Sequence, residues 1–443
     1  MKKVLFLFLL LLSIILLSIG CKKQNLPPLD NKMEIDETTI NETDTATQDT
    51  ETENSPTSKV INYKNLKAVW LSQFDLFSVY TDGDKQREKD DYKRLIKQVL
   101  ANVYDMGFNT IIVQVRPYAD SFFPSELFPP SRYVTADYSN DFEYDPIKIL
   151  IEEAKEHKLS IHAWINPLRC VKTDEIELID NKYTIKQWYL NSEYNGKYLV
   201  KVTDRFYLNP AYNETRKLIC DGIDEMLENY SFDGIHMDDY FYPTTDASFD
   251  FSAYKEYNEN ESNITLKKFR YNNINLLVSS IYSTVKKYNP DILFGISPDA
   301  NIETTTEKSY ADVFTWCEKD GYIDYICPQV YYGFEHQTHP FDKVATEWSN
   351  IIKNDKVKLA IGLTLGKAYT KEDRWAGSGK DEWQNNTDVL KRSLLYTKEI
   401  KNCIGVSFFS YQYFFDAKTN IIAKETLSEV NNLLPVLKEI SWN

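Results

Sequence analysis

Short apolar runs alternate with longer amphipathic segments along most of the chain, and that order predicts an α/β fold of the closed parallel (β/α)8 type, a TIM barrel with long βα loops on one face. Eight runs of strand length and eight helical patterns can be counted, the number that closes such a barrel. No glycine-rich phosphate loop follows any strand, which argues against a doubly wound open sheet.

The chain has 443 residues, 42% hydrophobic and 14% aromatic, enough for one barrel with appendages. Residues 1–21 read as a secretion signal: Lys2 and Lys3, an apolar run from Val4 to Ile19, then Leu17-Ser-Ile-Gly-Cys21, which resembles a bacterial lipobox. A membrane-spanning helix fits less well, because the run is barely long enough and is followed at once by a cysteine, two lysines and a polar tail. The expectation is an extracytoplasmic protein held to the cell membrane by lipid on Cys21. Residues 22–58 are rich in Thr, Asp, Glu, Asn and Gln without an aromatic ring, the composition of a disordered acidic tether. Residues 59–443 are expected to form the barrel domain. A net charge of −15 with no basic groove disfavours nucleic acid as a partner. The cysteines Cys170, Cys220, Cys317, Cys327 and Cys403 are widely spaced without a Cys-x-x-Cys pair, and read as mostly buried small hydrophobes.

The expected strands lie near Ala68–Ser72, Thr110–Val115, Ser160–Ile165, Asp233–Asp238, Ile292–Ser297, Ile323–Val330, Lys358–Leu363 and Ile404–Phe409. Helical patterns run near Asp90–Tyr104, Pro146–His157, Glu214–Asn229, Leu266–Tyr288, Ser309–Lys319, Phe341–Ile352 and Asp388–Ile400, with a last helix from Lys424 to Glu439. The connection from Cys170 to Asn209 is long and aromatic, fit to wall a groove, although self-packing suits most of its rings. Lys371–Trp383 is a second rim loop.

Alternation along each strand sorts its side chains by face. In Asp233-Gly-Ile-His-Met-Asp-Asp-Tyr-Phe-Tyr-Pro243, Ile235 and Met237 face the helices, while Gly234, His236 and Asp238 face the interior; Asp239 and Tyr240 begin the loop. The same test turns inward Trp70 and Ser72; Gln114 and Arg116, ahead of Asp120; His162, Trp164 and Asn166, ahead of Arg169; Ser297 and Asp299; and Tyr325, Cys327, Gln329 and Tyr331. Barrel interiors hold some satisfied polar groups, and paired carboxylates also cap βα turns. So many at the late ends of successive strands, each costing ~1–3 kcal/mol if buried unpaired, point instead to an active mouth.

Several of these stretches carry a resemblance. Gln114-Val-Arg-Pro117, Ser121-Phe-Phe-Pro-Ser-Glu126, His162-Ala-Trp-Ile-Asn-Pro167, Tyr207-Leu-Asn-Pro210, Asp233 to Pro243, Ile296-Ser-Pro298 and Asp324-Tyr-Ile-Cys-Pro-Gln-Val-Tyr-Tyr332 resemble, in order and spacing, the bacterial family-ten-like glycosyl hydrolases. Members are secreted or lipid-anchored TIM-barrel proteins, some of which hydrolyse peptidoglycan glycan strands stripped of their peptides. The resemblance implies a glycosidase acting on a cell-envelope or extracellular polysaccharide, with Asp238 and Asp239 on the family's double aspartate. This chain departs from the pattern at Asp299, where many relatives have a small or apolar residue.

Glycoside hydrolysis uses two carboxyl groups, one protonated to assist the leaving oxygen and one ionised. Consecutive strand residues cannot both face inward, so Asp238 and Asp239 form a pair only if the chain turns between them. Asp120 and Asp299 are reserve carboxylates. Trp70, Gln114, Arg116, His162, Asn166, Arg169, His236, Tyr240, Gln329 and Tyr331 are expected to bind or orient the sugar. The competing readings are a surface glycan-binding lipoprotein without catalysis, and a metal-dependent amidohydrolase or deacetylase. The second is disfavoured by five histidines with no His-x-His or His-x-x-x-His pair, and no metal or cofactor is expected.

Overall fold

The computed structural model describes residues 64–260 and 263–442. The stretches read above as a signal peptide and a tether, and Cys21 with them, therefore lie outside the described residues. Eight parallel strands close the barrel: β1 (Leu66–Leu71), β2 (Thr110–Arg116), β3 (Ser160–Ile165), β4 (Gly234–Met237), β5 (Leu293–Ile296), β6 (Tyr325–Ile326), β7 (Lys358–Thr364) and β8 (Cys403–Phe409). Neighbours in sequence are neighbours in the barrel, and β8 pairs with β1 to complete it. The main helices after the strands are α1 (Lys89–Asp105), α2 (Pro146–Glu156), α3 (Asn213–Asn229), α4 (Leu266–Tyr288), α5 (Val313–Glu318), α6 (Phe341–Ile351), α7 (Val389–Tyr396) and α8 (Leu427–Glu439).

Alternation along the strands divides the core in two. Ile111, Val113, Ile161, Ile235, Met237 and Ile326 pack outward against the helices, whereas Trp70, Ile112, Trp164, Tyr325 and Cys327 fill the interior. Two inward glycines make room for rings. A Cβ at Gly295 would fall 2.0 Å from the Tyr325 ring, and one at Gly234 would fall 2.7 Å from that of His162. The five described cysteines are free, four of them buried.

Some elements differ from expectation. β6 keeps only Tyr325–Ile326, because Pro328 has no N–H for a ladder; Gln329 then makes single bridges to Asp299 and Gly362. An unforeseen helix, Gln73–Tyr80, follows β1, closed by a capping box between Ser72 and Asp75. The long connection after β3 carries a three-stranded antiparallel sheet, Arg169–Lys172, Arg205–Leu208 and Leu199–Val202, with the helix Thr184–Leu190. Most of its rings serve this subdomain itself: Trp188 meets Tyr198 at 5.1 Å, and Tyr194 stacks on Tyr198 at 5.1 Å.

Candidate active site

β4 ends at Met237, and Asp238 and Asp239 follow at the mouth. Asp238 is 5% exposed and receives N–H donors on both oxygens. The Trp164 indole donates to Oδ2 at 3.1 Å, and Asn166 Nδ2 donates to Oδ1 at 2.6 Å. The Tyr240 backbone N–H donates to the same Oδ1 at 3.3 Å. Asn166 is aimed by a relay: Gln114 Nε2 donates to its Oδ1 at 2.7 Å, and the Gln73 N–H donates to Gln114 Oε1 at 3.0 Å. Burial, and after it the neighbouring Asp239 charge, lifts the Asp238 carboxyl to about 7.

The chain turns at Asp239, whose carbonyl accepts from Phe241 N–H at 3.0 Å, and both carboxylates line one pocket of about 130 Å³. Asp239 is half-buried and lines the pocket together with Gln329. Burial, then the charge of Asp299, lifts it to about 6, whereas Gln329 and Arg169 oppose that rise. Asp299 is fixed by Asn301 N–H at 2.7 Å and sits at the end of β5, outside the pocket lining but close enough for its charge to act on Asp239. The Arg169 guanidinium carbon lies over two rings, 3.8 Å from the Tyr240 centroid and 5.0 Å from that of Tyr118. The Arg169 Nε and the Trp70 indole N–H are buried and find no acceptor among the described residues, and both side chains line the pocket. Tyr331 stacks on Phe409 at 6.2 Å on the remaining wall.

The pocket thus gathers Asp238, Asp239, Trp70, Gln114, Arg169, Tyr240, Gln329 and Tyr331, with Asn166 just behind. Besides Asp299, four other expected residues lie outside the pocket. Arg116 points outward: a register shift between Gln114 and Arg116 inverts its parity, and its guanidinium packs 4.0 Å over Phe128 and donates to Gly222 O of α3 at 3.0 Å. His162 and His236 face inward but lie below the pocket, both on the Tyr325 hydroxyl at 2.9 and 2.7 Å; His236 also meets Ser297 Oγ at 2.9 Å. Burial lowers His162 to about 4 and His236 well below its ordinary value, so both are neutral supports. Asp120 is fully buried in the loop after β2, accepting from Tyr118 N–H at 2.8 Å and Tyr138 OH at 3.4 Å, and does not line the pocket.

Trp164, Gln73, Phe74 and Phe409 line the pocket without having been singled out as site residues. Parity had already turned Trp164 inward, and its indole N–H one residue pair from Asn166 was the available signal. Among the described residues no group of three or more His, Cys, Asp or Glu side chains is arranged to hold a metal ion.

The sequence family described as Glycosyl hydrolase-like 10 matches residues 65–376. The chain belongs to this family. The family-ten-like match spans β1 to the rim loop after β7, and so contains every residue of the pocket except Phe409. Glycosyl hydrolase YngK of Bacillus subtilis is 33% identical over 325 residues, 69% of this chain and 61% of that protein, so the chain spans about three fifths of that relative's length. Glycosyl hydrolase DigH of Escherichia coli K12 is 26% identical over 374 residues, 79% of this chain and 83% of that protein. Among solved structures, the catalytic domain of the β-amylase of Paenibacillus polymyxa superposes with a TM-score of 0.55 at 10% identity, covering 85% of this chain and all of that one. The α-L-fucosidase isoenzyme 2 of Paenibacillus thiaminolyticus gives 0.50 at 11% identity, covering 85% of this chain and 49% of that one. At such identities the likeness is one of fold, the TIM barrel.

Proposed function

We propose that this protein is a glycosidase that hydrolyses a cell-envelope or extracellular polysaccharide, with peptidoglycan glycan strands as the first substrate to test. The reading rests on family membership and on one observation above all: two consecutive carboxylates at the end of β4, both lifted toward neutrality, share one pocket. Such a pair holds a single proton near neutral pH and so supplies an acid and a base together.

Hydrogen bonding supports one division of the roles. A protonated Asp238 would face three N–H donors with nothing described to accept its own O–H, although burial lifts it further than Asp239. Asp238 is therefore the ionised member, held toward the anomeric carbon as nucleophile or base. Asp239, half-buried and beside the negative Asp299, keeps the proton and gives it to the leaving oxygen. Arg169, Trp70 and Gln329 bind sugar oxygens, and Tyr240 and Tyr331 confine the ring. Lipid on Cys21 would hold the enzyme at the outer side of the membrane, facing such a polymer.

Reducing-end release from peptide-free peptidoglycan glycan and from a panel of other polysaccharides, with and without chelator, tests the reading. Turnover unaffected by chelator and abolished in Asp239→Asn is expected. Glycan retention without turnover would replace the enzyme with a binding protein.

A further inference from the structure

One wall of the mouth carries exposed aromatic rings for which the acid pair has no use. Phe74 and Phe77 are 58% and 42% exposed on the helix Gln73–Tyr80, and each meets the Tyr133 ring at 5.9 Å in a T-shaped contact. Tyr133 leans on Tyr118 at 5.8 Å, and Arg169 bridges Tyr118 to Tyr240. The wall is therefore continuous from Phe77 to the residue next to Asp239, and Phe74 belongs to the pocket lining itself.

The helix that carries these rings is anchored at its start. Asp75, between them in the sequence and 5% exposed, accepts from Ser72 N–H and Oγ at 2.6 Å each, from Ser410 Oγ at 2.9 Å and from Gln412 N–H at 2.8 Å. Gln73, the residue before Phe74, heads the relay through Gln114 and Asn166 to Asp238. Helix and carboxylate are thus fixed in one register. Scattered exposed apolar residues are ordinary on a protein surface, but a ring backed by another ring, on an anchored helix, that opens into a reaction pocket is placed to receive a ligand with an apolar face. A pyranose has such a face, formed by its axial C–H groups, and leaves its hydroxyls at the edge in water.

We propose that Phe74, backed by Tyr133 and Phe77, forms a sugar-stacking subsite beside the reaction pocket, so that the enzyme takes glycan chains in preference to single short fragments. The inference rests on the glycosidase reading above and deepens it to chain length.

The test uses peptide-free peptidoglycan glycan strands fractionated by length, with wild type, Phe74→Ala and Phe74→Trp. Phe74→Ala should lose about tenfold in kcat/KM on long strands, mostly in KM, and markedly less on the shortest fragment cleaved. Phe74→Trp should restore the long-strand value, and melting temperatures should agree, since the ring is exposed. Equal loss on long and short strands, or no loss on either, overturns the subsite while leaving the glycosidase reading intact. Binding is read separately by retardation in gels containing the strands, where Phe74→Ala should migrate faster than wild type. Equal retardation overturns the subsite whatever the turnover, and wild type that neither binds nor cleaves overturns both readings.

Discussion

Asp239→Asn should abolish turnover and, above neutral pH, make the fold more stable. The carboxyl is lifted from 3.8 to about 6, chiefly by burial and by the charge of Asp299. About two units correspond to roughly 3 kcal/mol between its protonation states, an upper figure for a half-buried group. A raised folded value means that the folded protein binds this proton more tightly than the unfolded chain. The penalty is therefore absent below about pH 4, grows as pH rises through about 6, and is complete above it. Asparagine carries no charge and escapes the penalty, and its neutrality also removes one of the causes that lift Asp238. After allowance for solvent screening, the variant should gain about 1–2 kcal/mol at pH 8 and nothing at pH 4. Turnover should fall roughly 100- to 10,000-fold, because an amide cannot give a proton to the leaving oxygen. Thermal melts from pH 4 to 8 alongside reducing-end release read both effects. Undiminished turnover in the folded variant would refute the assignment. A melting temperature that falls at pH 8 in step with activity would show instead that Asp239 is a structural cap.

Trp164→Phe keeps the ring but removes the N–H on Asp238 Oδ2, so the ionised form loses a stabilising donor; the acidic limb of the pH–rate profile should move to higher pH with roughly tenfold lower kcat, and an unmoved limb would count against the role given to Asp238. Arg270→Ala leaves Asp250 unpaired in a bridge of 2.7 Å that is wholly buried, a cost of about 3–5 kcal/mol; chemical denaturation should show that loss, with Arg270 and Asp250 replaced together costing less than the sum. Cys21→Ser should abolish metabolic labelling with palmitate and release the protein from washed membranes, and membrane retention equal to wild type would remove the lipid anchor from the proposal.

Parity made the interior legible, because the barrel obliges each strand to put one face on the helices. Trp70, Gln114, Trp164 and Tyr325 could be placed inside from alternation alone, and Ile235 and Met237 outside. Two kinds of information were missing. A bulge has no reliable mark in a single sequence, so Arg116 was assigned the face that Gln114 keeps. Depth has none either: His162 and His236 do face inward, but the distance between a strand's middle and its end separates a neutral support under the floor from a residue of the pocket. The helix Gln73–Tyr80 was missed because its short apolar spacing reads as a continuation of β1, whereas the Ser72–Asp75 capping box turns it.

How two consecutive residues can serve one pocket follows from where β4 stops. Had the strand continued through Asp239, alternation would have sent its carboxylate into the helix layer. The strand ends at Met237, three N–H groups hold Asp238 inward, and the Asp239 carbonyl bonds Phe241 N–H in a tight turn. The rest of the loop is then tied down by Arg270, which lies between the rings of Tyr242 and Tyr310, pairs with Asp250 and donates to Thr244 O and Asp246 O. The turn costs ladder hydrogen bonds at the barrel mouth, and the buried ion pair, the ring contacts and the donors on Asp238 offset that cost. The adjacency that makes Asp238 and Asp239 look like an ordinary cap in the sequence is thus what brings two lifted carboxyls into one pocket.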